Sequence, residues 1–384
     1  MKVLRVVTTM NPKAGGVVEA IHQVAKELNR SGWQMDVLCF DDIDAQWIIN
    51  SDFYKVYAIG KGLSAYSFKL NYLPWLYKHC REYDLVIIDG LWQFHMVGGY
   101  LLKLLKIPYC VYTHGMLDPY FNKDKLKYFK KLPFWFLIER NVISMAAGVL
   151  FTCEEELLLA ENTFPFYRSS PHIASLGIAE IKDEPCYLKN IFYKKFPDLK
   201  TKSFALFLSR IDPKKGIDML IEALGRMKNI PDDFYLVIVG PGSEQLKCTL
   251  IEMSAKFGVK GLIVWAGMLQ GAEKWGAFHA AEVFILPSHQ ENFGIVVAEA
   301  LSTSTPVLIT DKVNIWREIE AEDAGLVEKD SVAGVAKLLT KWLNYSTEDK
   351  KEFGVKAKKC YQNNFSLDAA IESFQTVLSN VKNK

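Results

Sequence analysis

The sequence predicts an α/β protein built from two Rossmann-like domains facing across a cleft. Three observations carry that expectation. Short apolar, β-rich runs alternate with helical patterns, the mark of a parallel sheet covered on both faces. The alternation runs through the first half of the chain, breaks at a polar stretch, and restarts near residue 205. The chain has 384 residues, more than one hydrophobic core usually organises, and divides naturally into two domains of roughly 180 residues each.

The elements follow in order. Residues 3–8 read as the first strand, followed by the loop NPKAGG (11–16) and a helical pattern over 17–30 closed by Gly32. Strands are expected over 34–40, 84–88 and 109–112, with helical stretches between them. The second series has a strand over 205–208, a helix over 216–227 and a strand over 235–239 ending at GPG (240–242). Strands over 262–265, 283–286 and 306–309 complete it. The polar, Lys-rich stretch 181–202, with Pro185 and Pro197, reads as the linker. The expected domains are therefore 1–182 and 200–365. The tail 366–384, amphipathic over 368–381, is expected to pack back toward the N-terminal domain. In open α/β sheets ligands bind at the carboxyl ends of the strands, so the search falls on the loops there.

Composition excludes several classes. Half the residues are hydrophobic and 13% aromatic, which argues against disorder. Formal charge is +2, with no basic stripe of the kind nucleic acids select. The opening MKVLRVVTT is too short and too β-branched for a signal peptide, and no run of about 18 apolar residues suggests a membrane span. Seven scattered cysteines suit neither a disulfide framework nor a zinc site, and a cytoplasmic protein is expected.

The strongest motif is SHQENFGIVVAEAL (288–301), which follows an apolar strand and opens a helix. Helix N-termini present unpaired N–H groups and the positive end of a dipole. The amides of Gly294, Ile295 and Val296 form a phosphate cradle, and Gly294 lets a phosphate approach the backbone. Glu291, followed by Asn292 and Phe293, precedes the cradle. Glu299 lies in the helix, roughly 7 Å further along at about 1.5 Å per residue. The order carboxylate, amides, carboxylate matches the order sugar, diphosphate, ribose in a nucleotide sugar. The second motif is FLSRIDPKKGID (207–218), which places Arg210 at a strand end and Lys215 before a helix. Two fixed cations stabilise the charge that develops on a departing diphosphate. Taken singly, each motif also reads as an ordinary helix start or a solvated basic turn.

Together these segments, with GPG at 240–242 and AGMLQGAEKWGAFHAAEVFILPS (266–288), resemble the retaining glycosyltransferases of family 4, or group 1, which have the GT-B fold. The resemblance covers about residues 203–345. It implies that Arg210 and Lys215 hold the diphosphate, Glu299 the ribose and Glu291 the transferred sugar. It also implies that backbone near Met268 and Leu269 meets the base and that Gly240 lines the donor site. The sequence departs from the family pattern at Ser209, where Gly is common, and at LGIAE (176–180), where an Asn-Gly-Ile-Asp turn is common. The implied activity is retaining, metal-independent hexosyl transfer, with UDP-glucose or another UDP-hexose as donor. The implied acceptor is a glycan or lipid-linked glycan in polysaccharide synthesis. No cofactor is expected. Front-face attack and a covalent glycosyl-enzyme both remain open.

The N-terminal half, the acceptor side, resembles the family less. Gly15 and Gly16 follow the first strand, where their amides reach a donor phosphate or simply form a βα turn. His114, in THGMLDPY (113–120), lies by resemblance near the reacting sugar. Asp89 and Asp118 are weaker acceptor-side candidates, and His95 and His289 border strand ends. His22, His79, His172 and His279 read as structural. Asp42 and Asp44 have the DxD spacing of metal-dependent glycosyltransferases but lie far from every donor motif, so they read as a solvated acidic loop. Residues 120–140 mix Lys123, Lys125, Lys127, Lys130 and Lys131 with Phe134, Trp135 and Phe136. That stretch reads equally as a helix resting on the inner face of a membrane and as a buried helix with a solvated face. Among rival functions, an epimerase of the same fold needs no acceptor. A dehydrogenase lacks support because GPG has no third glycine of the dinucleotide fingerprint. A non-catalytic nucleotide-sugar-binding subunit fits poorly with Glu291, Arg210, Lys215 and His114 all present.

Overall fold

A computed structural model describes residues 1–14, 16–48 and 54–382. The chain divides into two compact units, Met1–Gly177 with Leu367–Lys384, and Ile178–Ser366.

The described strands of the first unit are β1 (Lys2–Val7), β2 (Gln34–Cys39), β3 (Val56–Ala58), β4 (Leu85–Asp89), β5 (Tyr109–Tyr112), β6 (Gly148–Phe151) and β7 (Pro171–Ile173). They lie in the order β3-β2-β1-β4-β5-β6-β7, and every pairing is parallel. The chain winds outward from β1 to β3, then returns to lay β4 against the other side of β1. The winding sense reverses between β1 and β4, which opens a crevice at their carboxyl ends. Both faces of the sheet are covered, so the central strands read as nearly continuous apolar runs. One face packs on the helix Gly16–Arg30 through Val18, Ile21, Val24 and Leu28. The other packs on Tyr72, Leu76, Leu102 and Trp135.

The C-terminal helix Leu367–Lys382 belongs to this unit. Its Ile371, Phe374, Leu378 and Val381, spaced along one helical stripe, enter the same core cluster as Val18 and Ile21. It passes so close to β6 that a Cβ on Gly148 would lie 2.9 Å from a methyl of Val381.

The second unit repeats the architecture. Its described strands are β8 (Ser203–Leu208), β9 (Phe234–Val239), β10 (Ile263–Gly267), β11 (Val283–Leu286), β12 (Val307–Thr310) and β13 (Gly325–Glu328), in the order β10-β9-β8-β11-β12-β13. All of its pairings are parallel, and the reversal falls between β8 and β11.

The stretch 181–202 is not the linker its composition suggests. Residues Pro185–Lys195 form a helix with Pro at its start and Leu188 and Phe192 buried four residues apart. This helix packs on the helix Gly271–Ala280, where a Cβ on Gly276 would lie 2.2 Å from the Leu188 carbonyl oxygen. Its lysines are the solvated face of a packed element, so the second unit begins at Ile178 instead of near residue 200. Four strands escaped the sequence reading: β3, β6, β7 and β13, of three or four residues each.

Phe374→Ala tests the placement of the C-terminal helix. Truncating a buried Phe costs about 3–5 kcal/mol, so denaturant unfolding should shift to lower concentration and hydrogen exchange should rise in the helix Gly16–Arg30. An unchanged midpoint would remove the C-terminal helix from this core.

Candidate functional site

In the second unit, three loops leave the strand ends beside the β8–β11 reversal: 209–216 after β8, 240–243 after β9 and 287–294 after β11. They are joined backbone to backbone. Ile211 N–H donates to the Pro241 carbonyl at 2.7 Å, and His289 N–H to the Lys214 carbonyl at 2.9 Å. The approach is close enough to exclude side chains at two glycines. A Cβ on Gly240 would lie 1.8 Å from the Ser209 carbonyl oxygen, and one on Gly216 would lie 2.1 Å from that of Pro287. Both residues have positive φ, 143° and 68° respectively, so only glycine fits without strain.

The Asp212 carboxylate accepts from Lys214 N–H at 2.9 Å and caps the turn Pro213–Lys215. Lys215 at the end of that turn is buried, and its ammonium forms an ion pair with Glu291. A buried ammonium is costly unless paired. Glu291 is anchored through its own backbone: its N–H donates to Lys312 O at 2.8 Å and its carbonyl accepts from Asn314 N–H at 3.0 Å. Two motifs 76 residues apart therefore meet at one contact. Arg210 is exposed at the end of β8.

The helix Ile295–Ser302 opens behind Gly294, whose φ of 71° is left-handed. The amides of Ile295 and Val296 fall in the first turn, where an α-helix supplies no acceptor. Phe293 is buried edge-on to Phe365 at 5.6 Å. The side-chain oxygen of Asn292 accepts from Asn314 at 3.4 Å, which further pins the loop. Glu299 in the helix pairs with Lys274 of the helix Gly271–Ala280 at 2.7 Å. Lys274 carries no sequence signal and was not anticipated. Met268 is exposed and Leu269 buried. His289 pairs with Asp330 at 2.7 Å.

In the first unit, Gly16 opens the helix Gly16–Arg30, and Gly15 lies outside the described residues. At the β1–β4 reversal stands a buried cluster. The Arg5 guanidinium grips the Asp89 carboxylate with two nitrogens, its Nε at 2.9 Å. Burial opposes ionisation of Asp89, but the charge and hydrogen bonds of Arg5, joined by His114, hold its carboxyl down at about 2. The carboxylate then accepts from His114 Nε2 at 2.7 Å. That contact engages Nε2 and leaves Nδ1 buried with no partner among the described residues. The ring stacks on Tyr112 at 4.1 Å.

His114 has φ of 47°, a left-handed conformation disfavoured for a residue with a Cβ. Its neighbours are held by Glu156, a buried carboxylate near the start of the helix Glu154–Glu161. Glu156 accepts from Thr113 Oγ1 at 2.5 Å, Gly115 N–H at 2.6 Å, Thr152 N–H at 2.7 Å and Thr152 Oγ1 at 2.6 Å. Neither Arg5 nor Glu156 was anticipated. A charged residue inside the apolar run KVLRVV was the available signal for Arg5. The first-turn position of Glu156 was a weak one.

The remaining candidates have local roles. Asp118 accepts from Tyr120 N–H at 2.8 Å and starts the turn Pro119–Asn122. His95 is fully buried with Nε2 bonded to the Asp89 carbonyl at 2.9 Å, and burial pushes its imidazole down to about 4. His22 contacts Tyr54, and His79 pairs with Glu82 at 2.7 Å. Asp42 and Asp44 are exposed. Asp42 accepts from Lys61 N–H at 3.2 Å, while the neighbouring Asp41 is the buried residue that ties Thr9 and Met10.

The basic-aromatic stretch forms the helix Lys125–Phe134, which buries none of its residues, followed by the π-helical turn Trp135–Glu139, which buries Trp135 and Glu139. Among the described residues no helix is long and apolar enough to cross a membrane. Glu139 accepts from Trp92 N–H at 3.0 Å, and burial pushes its carboxyl up to about 8. The folded chain thus binds a proton here that the unfolded chain releases above about pH 4.5, and stability should fall as pH rises from about 5 through 8. Glu139→Gln should flatten that slope in denaturant titrations run across this range. An unchanged slope would show that another group sets it.

Known proteins of similar sequence and fold identify the family. Residues 189–360 match the family model of glycosyl transferases group 1, and residues 15–168 that of the glycosyl transferase 4-like domain. An uncharacterized glycosyltransferase of Methanocaldococcus jannaschii is 24% identical over 89% of this chain and 90% of its own length. The phosphatidyl-myo-inositol mannosyltransferase of Mycobacterium leprae is 36% identical over 35% of each chain. Among solved structures, the Anabaena protein HepE in complex with UDP and glucose superposes with a TM-score of 0.76 at 16% identity, covering 99% of this chain and 100% of its own. The two family models together span most of the chain, and with the two parallel sheets they show that this protein belongs to the group 1 glycosyltransferases and is an enzyme of the GT-B fold.

Proposed function

We propose that the chain transfers a hexosyl group, with retention at the anomeric carbon, from a UDP-hexose to a hydroxyl of a glycan or lipid-linked glycan. UDP-glucose is the first donor to test. The observation that carries this reading is the Lys215–Glu291 contact, which joins a cationic loop to the carboxylate at the mouth of the helix Ile295–Ser302. A departing diphosphate needs positive charge, and Lys215, Arg210 and the amides of Ile295 and Val296 supply it. Glu291 then faces the sugar, while Glu299, with Lys274 on one oxygen, retains acceptor capacity for ribose hydroxyls. His114 is the acceptor-side group, its ring set by Asp89 and Arg5. A UDP-bound structural neighbour supports the nucleotide. These fixed charges stand in for a metal ion, so we propose a metal-independent reaction.

Donor hydrolysis and UDP titration test this. Glu299→Gln should weaken UDP about ten- to a hundredfold, the usual cost of lost hydrogen bonds to a charged acceptor. Glu291→Gln keeps an oxygen for Lys215, so it should leave UDP affinity near wild type and lower the transfer rate. Equal weakening of UDP by both variants would reverse the proposed direction of the ligand, and normal behaviour of both would remove the carboxylates from the site. Lys215→Ala should lower turnover by about a hundredfold, as loss of one preorganised donor does.

Activity should also survive excess EDTA. Loss that is restored by Mn²⁺ or Mg²⁺ would overturn metal independence and return attention to Asp42 and Asp44.

A further inference from the structure

A polar cavity of about 370 Å³ in the first unit takes no part in the roles assigned above. Its lining comes from the four loops that follow β1, β2, β3 and β4. Buried Asp41 ties the first three together. Its carboxylate accepts from Thr9 Oγ1 at 2.7 Å and Met10 N–H at 2.6 Å, and its carbonyl from Gly60 N–H at 2.9 Å. The loop after β3 closes on itself, with Leu63 and Phe68 exchanging two backbone hydrogen bonds. Phe94 N–H then joins it to the loop after β4 through the Tyr66 carbonyl at 2.8 Å. The walls are therefore set before any ligand arrives.

The groups in these walls keep hydrogen-bonding capacity. The Trp47 indole N–H is buried and has no acceptor among the described residues. Buried polar groups are normally hydrogen-bonded, so an orphan donor in a cavity wall calls for an acceptor. Asp42 spends one carboxylate oxygen on Lys61 N–H at 3.2 Å and keeps the other open. Ser64 accepts from Tyr66 N–H at 3.3 Å and still has a proton to donate. The Gln93 side-chain amide offers both a donor and an acceptor to the same space. Ser64 and Ser67 have φ of 60° and 56°, a left-handed conformation that costs free energy and gathers at ligand sites.

This chemistry selects among ligands. Asp41 and Asp42 face a single lining ammonium, that of Lys61, so the cavity is net negative and repels phosphate. An acyl chain would desolvate Asp42 and Gln93 and return no hydrogen bond. A neutral sugar meets both demands. Its hydroxyls donate to Asp42 and accept from the Trp47 indole, and the Gln93 amide serves them in either sense.

Strand order sets which sugar of the acceptor this is. Asp42 and Trp47 follow β2, and β1, β4 and β5 come next in the sheet. Neighbouring strands lie about 4.8 Å apart, which puts the end of β2 about 14 Å from that of β5, where His114 stands. A single hexose does not span that distance.

We propose that the cavity is a subsite for a neutral sugar unit of the acceptor, remote from the reacting hydroxyl. The acceptor is then an oligosaccharide whose terminal unit lies by His114 and whose inner units reach Asp42, Trp47 and Gln93. The proposal rests on the transferase reading and specifies the acceptor of that same reaction.

The test presents the full chain, saturated with UDP, to an array of immobilised mono- and oligosaccharides, neutral and anionic. UDP affinity and donor hydrolysis are measured in parallel. Wild type should bind neutral oligosaccharides and not the monosaccharides that compose them. Titration with the best-bound oligosaccharide then compares variants. Asp42→Ala should weaken it about tenfold or more, as loss of a hydrogen bond to a charged acceptor does. Gln93→Ala and Trp47→Phe, the second of which keeps an aromatic ring and removes the N–H, should weaken it about two- to tenfold. Asp44→Ala removes the same charge from the same loop outside the cavity and should bind as wild type does. Equal affinity for mono- and oligosaccharides, preference for anionic glycans, or no glycan binding would overturn the proposal. Equal loss in Asp42→Ala and Asp44→Ala would also overturn it, by reducing the effect to loop charge. Unchanged UDP affinity shows that the variants are folded. A wild-type chain that hydrolyses the donor but ignores glycan length keeps the transferase reading and loses this one, whereas a chain that neither binds UDP nor hydrolyses the donor loses the transferase reading itself.

Discussion

The Lys215–Glu291 ion pair is the contact on which the second unit's site depends. It can form only because the loop after β8 is laid directly on the loop after β11. That contact in turn needs glycine at 216, where any side chain would strike the Pro287 carbonyl. Gly240 does the same for the loop after β9 against Ser209. Three strand ends thus become one rigid platform, and the ammonium sits in it against the Glu291 carboxylate. Deleting one partner of such a buried pair typically costs about 3–5 kcal/mol, moderated here by the partial exposure of Glu291. A charge held this way undergoes no reorganisation when a phosphate arrives, which is the property a leaving-group stabiliser needs.

The first unit solves a related problem with different groups. A histidine in a left-handed conformation costs about 1–3 kcal/mol and persists only where its surroundings over-determine it. Glu156 does so by collecting four hydrogen bonds from the residues on both sides of His114 and from the end of β6. Asp89 fixes the ring, and Arg5, from the adjacent strand, keeps Asp89 ionised. The cluster stands at the β1–β4 reversal just as the Lys215 platform stands at the β8–β11 reversal. In each unit the buried charge gathers where the winding sense changes, because that is where strand ends part and side chains can converge without disturbing the ladder.

The helical segment 123–139 follows a different logic. A helix that buries nothing contributes little core, yet its π-helical continuation inserts Trp135 and the neutralised Glu139 into the unit. The half-buried Tyr128 and Leu132 also pack against the core, while Leu126, Phe129 and the lysines stay in solvent.

The sequence by itself determined the fold class and most strands of the two series, and it singled out residues 207–218 and 288–301 as the motifs to examine. These are local properties: apolar runs long enough to show their period, glycines at helix starts, carboxylates and cations at fixed spacing. It also placed His114 at a strand end. Short strands such as Val56–Ala58 and Pro171–Ile173 stayed hidden because three residues carry no period. The helix Pro185–Lys195 was misread as a linker because its two buried side chains are outnumbered by lysines. Only the tertiary structure decided that Lys215 meets Glu291, that Lys274 meets Glu299, and that Arg5, Asp89, His114 and Glu156 act together. Those partners lie 25 to 84 residues apart, or are linked through residues that do. Contacts of that range are set by strand order and by the close approach that glycine permits, and neither is written in the local pattern.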